Sequence, residues 1–174
     1  MKKFQFLLLD AGPIIKLFDL GIWEMFIDRC DVTVSQTVAD QAKWASQEAQ
    51  DIRIDLEPYK HQELIKIIDI DASLAKSFLD RFDRLLQAEV HPGEREALAF
   101  LCDSTEDWLL CSGDGAVFRV LGLLGKSQQG ISLEEILQQI GLCKGNLGWE
   151  FSKKFCEKYA RMGQADSIQG RGIR

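Results

Sequence analysis

Phe4–Leu9 is an apolar run, interrupted only by Gln5, that stops at Asp10-Ala11-Gly12-Pro13. A run of that length ending in turn-forming residues predicts a strand of a parallel sheet buried on both faces, with Pro13 in the first turn of the next helix. Over residues 14–26, Ile14, Leu17, Phe18, Leu20, Ile22, Met25 and Phe26 recur at helical spacing around Gly21, which predicts two short helices. Residues 31–35, through Val32, Thr33 and Val34, read as a second strand.

Residues 37–50 have helical propensity, with Ala39, Ala42, Trp44 and Ala45 available for packing. Residues 52–59 alternate apolar and charged side chains (Ile52, Arg53, Ile54, Asp55, Leu56, Glu57), the pattern of an exposed edge strand or hairpin arm. Residues 61–70 pass from helix-like to strand-like. Asp71-Ala72-Ser73 then offers caps for a long helix in which Leu74, Phe78, Phe82 and Leu85 make one stripe. His91-Pro92-Gly93 ends that helix, and a new one is expected over 94–102 with Ala97, Leu98 and Leu101 inward. A short strand over 108–111 and helices over 114–121 and 132–140 follow.

Strands separated by helices predict an α/β domain with a short parallel sheet flanked on both faces, a three-layer α/β/α arrangement. The expected division is a domain over residues 1–130 and a C-terminal helical extension over 131–174. The last stretch, 163–174, has three glycines and almost no large apolar side chain, so it reads as a mobile tail.

Length and composition narrow the class. At 174 residues the chain can bury a sizeable core without staples, and 46% hydrophobic with 28% charged residues is a globular composition. No apolar run approaches about 18 residues, and the first one meets Asp10 before a signal-peptide core can form, so a cytoplasmic protein without a membrane span is expected. Cys30, Cys102, Cys111, Cys143 and Cys156 show no metal-ligand spacing and are expected as buried free thiols in a reducing compartment. A net charge of -6 by itself argues against a general nucleic-acid-coating protein. Basic charge is nonetheless gathered after residue 151, where Lys153, Lys154, Lys158, Arg161, Arg171 and Arg174 face only Glu157 and Asp166.

Ligand sites of open parallel sheets form outside the carboxyl ends of the strands. Asp10 directly follows the first strand, Asp40 lies in the first turn after the second, and Asp114 follows the strand over 108–111. Glu94 opens a helix after Pro92-Gly93. Carboxylates brought together raise one another's pKa unless a cation sits among them, and a hard divalent ion with oxygen ligands can support in-line displacement at phosphorus. Each residue also has a plainer reading. Asp10 can cap the helix at Pro13, Asp40 can be a solvated helix residue, Glu94 can favour a helix N-terminus through the macrodipole, and Asp114 can be a turn residue. His61 and His91 have no evident partner and read as surface residues. Ser35, Thr37 and Ser112 read first as local caps. The glycines around Asp114 lack the third position of a dinucleotide fingerprint, and Gly12 stands where an aspartyl phosphatase of the HAD kind needs a second aspartate.

These residues carry a resemblance. FLLLDAGPIIKLF resembles the opening of PIN domains, VTVSQTVADQA their second motif, HPGEREALAFL the GExEA helix start of a subgroup, and WLLCSGDGAVFRVLGLLG the fourth motif with its following LG. The match runs over residues 4–125 in the right order. It implies a Mg²⁺- or Mn²⁺-dependent endoribonuclease that hydrolyses an RNA phosphodiester with water and no covalent intermediate. Asp10, Asp40, Glu94 and Asp114 would be the acidic cluster, with Asp10, Glu94 and Asp114 on the metal. Many such relatives are VapC-type toxins held by an antitoxin protein, so RNA, an antitoxin and self-association are the expected partners. The family more often has glutamate where Asp40 stands, and Arg119 is displaced by one position from the family's arginine. Glu94 and Glu96 point about 200° apart on a helix, so only one can bind a given ion; Glu94 is favoured and Glu96 would support it. The alternative is a PIN-like RNA- or protein-binding module without catalysis.

Overall fold

The computed structural model describes residues 3–47, 50–142 and 145–174. In chain order the elements are β1 (Phe4–Leu9), α1 (Ala11–Asp19), α2 (Trp23–Arg29), β2 (Cys30–Ser35), α3 (Gln36–Gln41), β3 (Trp44–Gln47), β4 (Gln50–Arg53), α4 (Glu57–His61), β5 (Ile65–Ile68), α5 (Ala72–Leu79), α6 (Arg84–Glu89), α7 (Pro92–Asp103), β6 (Leu109–Cys111), α8 (Gly115–Leu123), α9 (Leu133–Gln139) and α10 (Lys153–Ile168).

β5, β2, β1 and β6 form a parallel four-stranded sheet in that order. Successive side chains of a strand point to opposite faces, and β1 is buried on both only over Leu7–Leu9, Gln5 and Phe6 being exposed. Leu7 and Leu9 enter a core with Ile14, Leu17, Phe26, Val34 and Ile136, while Leu8 enters a second core with Phe78, Leu98, Val117, Phe118 and Phe155. α1, α2 and α9 therefore cover one face of the sheet, and α5 to α8 with α10 cover the other. Gly21, at φ +64°, supplies the left-handed turn that separates α1 from α2.

Three expectations from the sequence are corrected. The helix expected over 37–50 ends at Gln41; the chain then turns into an antiparallel hairpin of β3 and β4 that pairs Trp44 with Arg53 and Ala45 with Ile52. A period of two suits this segment because Ala45 is buried while Trp44 is exposed. Glu48 and Ala49 of that stretch lie outside the described residues.

The long helix expected after Asp71 is two helices. The Asp83 carboxylate accepts the Leu86 N–H at 2.9 Å and starts α6 afresh, so Phe82 and Leu86 go inward and Leu85 is left 79% exposed.

Residues 163–174 are not a free end. α10 continues to Ile168, Asp83 N–H donates to Gly172 O (2.9 Å), and Arg174 N–H donates to Arg81 O (3.0 Å). Asp166, buried, pairs with Arg119 and Arg171. The glycine at 163 serves close approach: a Cβ there would stand 1.8 Å from Arg119 O of α8. The extension is also joined to the rest of the fold, since Ile131, Leu133, Ile136, Leu137 and Phe151 share the core of Leu7 and Leu9.

Cys30, Cys102, Cys111 and Cys156 are free thiols, and Cys143 lies outside the described residues. Burial pushes the Cys30 and Cys156 thiols up to about 12 and Cys111 well above its ordinary value, so these sulfurs stay protonated. Among the described residues, no helix is long and apolar enough to cross a membrane.

Candidate active site

β1 and β6 end side by side, with the N–H of Asp10 donating to Cys111 O at 3.0 Å. Chain order reverses here: from β1 the chain builds outward through β2 and β5, then returns to the other side of β1 as β6. A crevice outside the carboxyl ends of the strands is expected at such a switch point.

Carboxylates from distant parts of the chain gather there: Glu94 and Asp114, with His91, bring donor atoms within 4.8 Å of one another, and Asp10 stands outside that group but near enough for its charge to act on Glu94 and for that of Asp114 to act on it. Asp10 caps α1 through Oδ1, which accepts the Ala11 N–H at 2.8 Å, while Oδ2 accepts the Ser112 hydroxyl at 2.7 Å. Asp114 caps α8 through Oδ1, which accepts the Ala116 N–H at 2.8 Å, leaving Oδ2 toward His91. Glu94 is the third residue of α7, and its Oε2 accepts the His91 N–H at 2.8 Å. Asp10 and Glu94 are 8% and 5% exposed, so their charges are largely cut off from water.

Glycines set the close approaches that fix these positions. A Cβ on Gly93 would lie 2.8 Å from Val38 Cγ2, so α7 begins hard against α3. Gly113 and Gly115 flank Asp114, with Phe151 and Tyr159 from the C-terminal segment seated on them; a Cβ would meet those rings at 3.0 and 2.6 Å. The Ser-Gly-Asp-Gly stretch thus needs its glycines for packing as much as for turning.

The electrostatics follow from burial. Desolvation pushes the Asp10 carboxyl above its usual range, opposed by the Ser112 hydroxyl and the Ala11 N–H, with the Asp114 charge adding to the rise. Burial also carries Glu94 up to about 7, opposed by the His91 N–H and reinforced by the charges of Asp10 and Asp114. Among the described residues, no Lys or Arg forms an ion pair with any of the three; His91 Nδ1 lies 3.4 Å from Glu94 Oε1 and 3.6 Å from Asp114 Oδ2. Buried carboxylates that raise one another's pKa make a donor set of hard oxygens, and a divalent cation fits the charge they carry.

Asp40 stands outside this group. It is exposed, accepts from Gln36 Nε2 at 3.2 Å, and lines a groove with Lys43 and Arg53; the charges acting on Asp10 and Glu94 do not include it. Glu96 accepts the Thr37 hydroxyl at 2.7 Å and ties α7 to α3, while Ser35 caps α3 through the Val38 N–H. Arg119 binds Asp166 (2.7 Å) and Glu89 (3.2 Å).

Sequence reasoning missed His91. The signal was present in His91-Pro92-Gly93-Glu94: proline in the first turn makes the preceding residue the cap, and the cap and third helical positions are neighbours. A cavity of about 540 Å³ opens beside His91 and Asp114, walled by Arg119, Tyr159 and Met162. Comparison of the chain with protein-family models, with curated proteins and with solved structures gave no match.

Proposed function

We propose that the chain is a PIN-like ribonuclease that hydrolyses RNA phosphodiester bonds with a divalent metal ion. The observation that carries this reading is the meeting of Asp10, Glu94 and Asp114, 104 positions apart at the extremes, around the ends of β1 and β6. Its ordered sequence motifs supply the choice of RNA. Asp10, Glu94 and Asp114 would hold the ion, which when bound supplies Lewis acidity toward a phosphoryl oxygen and neutralises the charge of in-line displacement. The chain's own part is preorganisation. Ser112 fixes the rotamer of Asp10, the N-terminus of α8 fixes Asp114, and the His91 N–H fixes Glu94. The cavity beside His91 and Asp114 leaves room for the strand being cut, with the Tyr159 ring on its wall.

The test is incubation of wild type and Asp10→Asn with single-stranded RNA and Mn²⁺, with single-stranded DNA of the same sequence as control. Cleavage of RNA by wild type alone is the expected result; equal cleavage by both proteins overturns the assignment.

A second reading has its own support. Each of the three carboxylates accepts a backbone N–H at a helix start, which is a structural task complete in itself. On that reading the chain is a PIN-like RNA- or protein-binding module, and wild type binds RNA without cutting it in Mn²⁺.

A further inference from the structure

We propose that the His91 imidazole is itself a ligand of the ion, making a mixed nitrogen and oxygen centre that selects a transition-metal dication over Mg²⁺; this rests on the metal-dependent reading above. His91, Glu94 and Asp114 offer one donor atom each, all within 4.8 Å of one another. The separations from Nδ1 are 3.4 Å to Glu94 and 3.6 Å to Asp114. Both exceed the span of about 2.7–3.2 Å at which a nitrogen donates well to oxygen, and one ring N–H would have to be shared, long, between two acceptors. They match the edge of a coordination shell instead: bonds of about 2.1 Å set neighbouring donors roughly 3.0 Å apart in an octahedron and 3.4 Å in a tetrahedron.

The surroundings leave this imidazole free for that task. Its side chain is 67% exposed, so packing does not explain its position. Its backbone is fixed on both sides, by Pro92 in the first helical turn and by the Glu94 carboxylate on the His91 N–H. Imidazole suits first-row transition dications, Zn²⁺ above all and Mn²⁺ least, better than Mg²⁺, which keeps oxygen ligands and its waters. An all-carboxylate centre lacks the added preference that a nitrogen ligand brings.

The experiment uses the full chain loaded with Mn²⁺ and reads electron spin echo modulation together with Mn²⁺ affinity, both independent of cleavage. Wild type is expected to show ¹⁴N modulation from a directly bound imidazole. His91→Ala and His91→Gln lose it, bind Mn²⁺ about tenfold or more weakly, and bind Mg²⁺ as wild type does. Tight Mn²⁺ binding with no ¹⁴N modulation overturns the inference and leaves the carboxylate site intact. Absence of Mn²⁺ binding by wild type overturns the metal-dependent reading and this inference with it. Equal loss of Mg²⁺ and Mn²⁺ affinity in both variants overturns the selectivity.

Discussion

The hydroxyl of Ser112 donates to Asp10 Oδ2 at 2.7 Å, joining the residue that follows β1 to the residue that follows β6. The same oxygen accepts the Asp114 N–H at 3.0 Å, so one buried side chain holds two of the three carboxylate-bearing residues. Ser112→Ala removes both bonds and leaves little space to fill. The expected cost is about 1.5–3 kcal/mol, that of a hydrogen bond to a charged group, read from urea unfolding at neutral pH. The Asp10 carboxyl moves further up, because the hydroxyl that opposes its desolvation is gone. Unchanged stability would show that the bridge contributes nothing.

Asp10→Asn separates stability from ion binding. The amide keeps the size of the side chain and removes a charge that burial and Asp114 both oppose. Without divalent ions the variant is expected to melt at or above the wild-type temperature. Wild type gains about 2.7 kcal/mol at an ion concentration of 100 Kd by mass action, and the variant gains almost none. Thermal melts with and without Mn²⁺ check both halves, and an equal Mn²⁺ shift in the two proteins sinks the role given to Asp10.

Much of this was legible in the chain because it is written locally. The apolar run of β1, the Val32 and Val34 pair of β2 and the glycine break at Gly21 each act within a few residues; Asp10 and Asp114 stand where strands stop and Glu94 where a helix starts. What failed depended on competition between distant or unlike effects. Asp83 lies inside the span expected as one long helix, but its side chain caps a new helix. Trp44 looked like packing material, but the segment chose the pairing that buries Ala45. The glycines at 163 and 172 looked like freedom, yet they mark contact with Arg119 and Leu123.

Glu94 gives the apo protein a pH signature. Its carboxyl stands at about 7 in the fold against an ordinary 4.5. Between those values the folded chain keeps a proton that the unfolded chain has released, so stability falls as pH rises. The contribution is fully present below 4.5 and lost on passing about 7. Glu94→Gln keeps the His91 N–H bond without the charge, so its unfolding free energy should be flatter across this window and higher at its alkaline end. Mn²⁺ reverses the trend, because protons and the ion compete for the same carboxylate. Chemical unfolding at several pH values, with and without Mn²⁺, checks the signs; parallel profiles for the two proteins refute them.

The seam between α8 and α10 is built on missing side chains. A Cβ at Gly122 would lie 2.0 Å from Ala160 O, and one at Gly163 1.8 Å from Arg119 O; backbone cannot yield as a side-chain tip can. Gly163→Ala gains helix propensity of about 1 kcal/mol, yet is expected to be destabilising by about 3 kcal/mol, at the upper end for overpacking. Gly145→Ala, with nothing within 4 Å, is the control and should stay within about 0.5 kcal/mol of wild type. Moving α10 off α8 also lifts Tyr159 from Gly115, so Mn²⁺ affinity should fall in the first variant and hold in the second.

Asp166 decides whether the C-terminal residues stay in place. Its side chain is 8% exposed and takes Arg119 Nε at 2.7 Å and Arg171 Nη2 at 3.1 Å. Breaking a buried pair from one side costs about 3–5 kcal/mol; because Arg119 is 29% and Arg171 63% exposed, water softens this to about 2 kcal/mol for Asp166→Ala. Glu89, at 3.2 Å from Arg119, still holds that guanidinium, so the loss falls mainly on Arg171 and the residues after it. The amides of Asp83 and Arg174, bonded to Gly172 O and Arg81 O, are therefore expected to exchange with solvent faster in the variant, while those of β1 keep their protection. If both amides exchange as in wild type, the antiparallel contact of Phe82 with Ile173 suffices to hold this segment, and Asp166 acts only within α10.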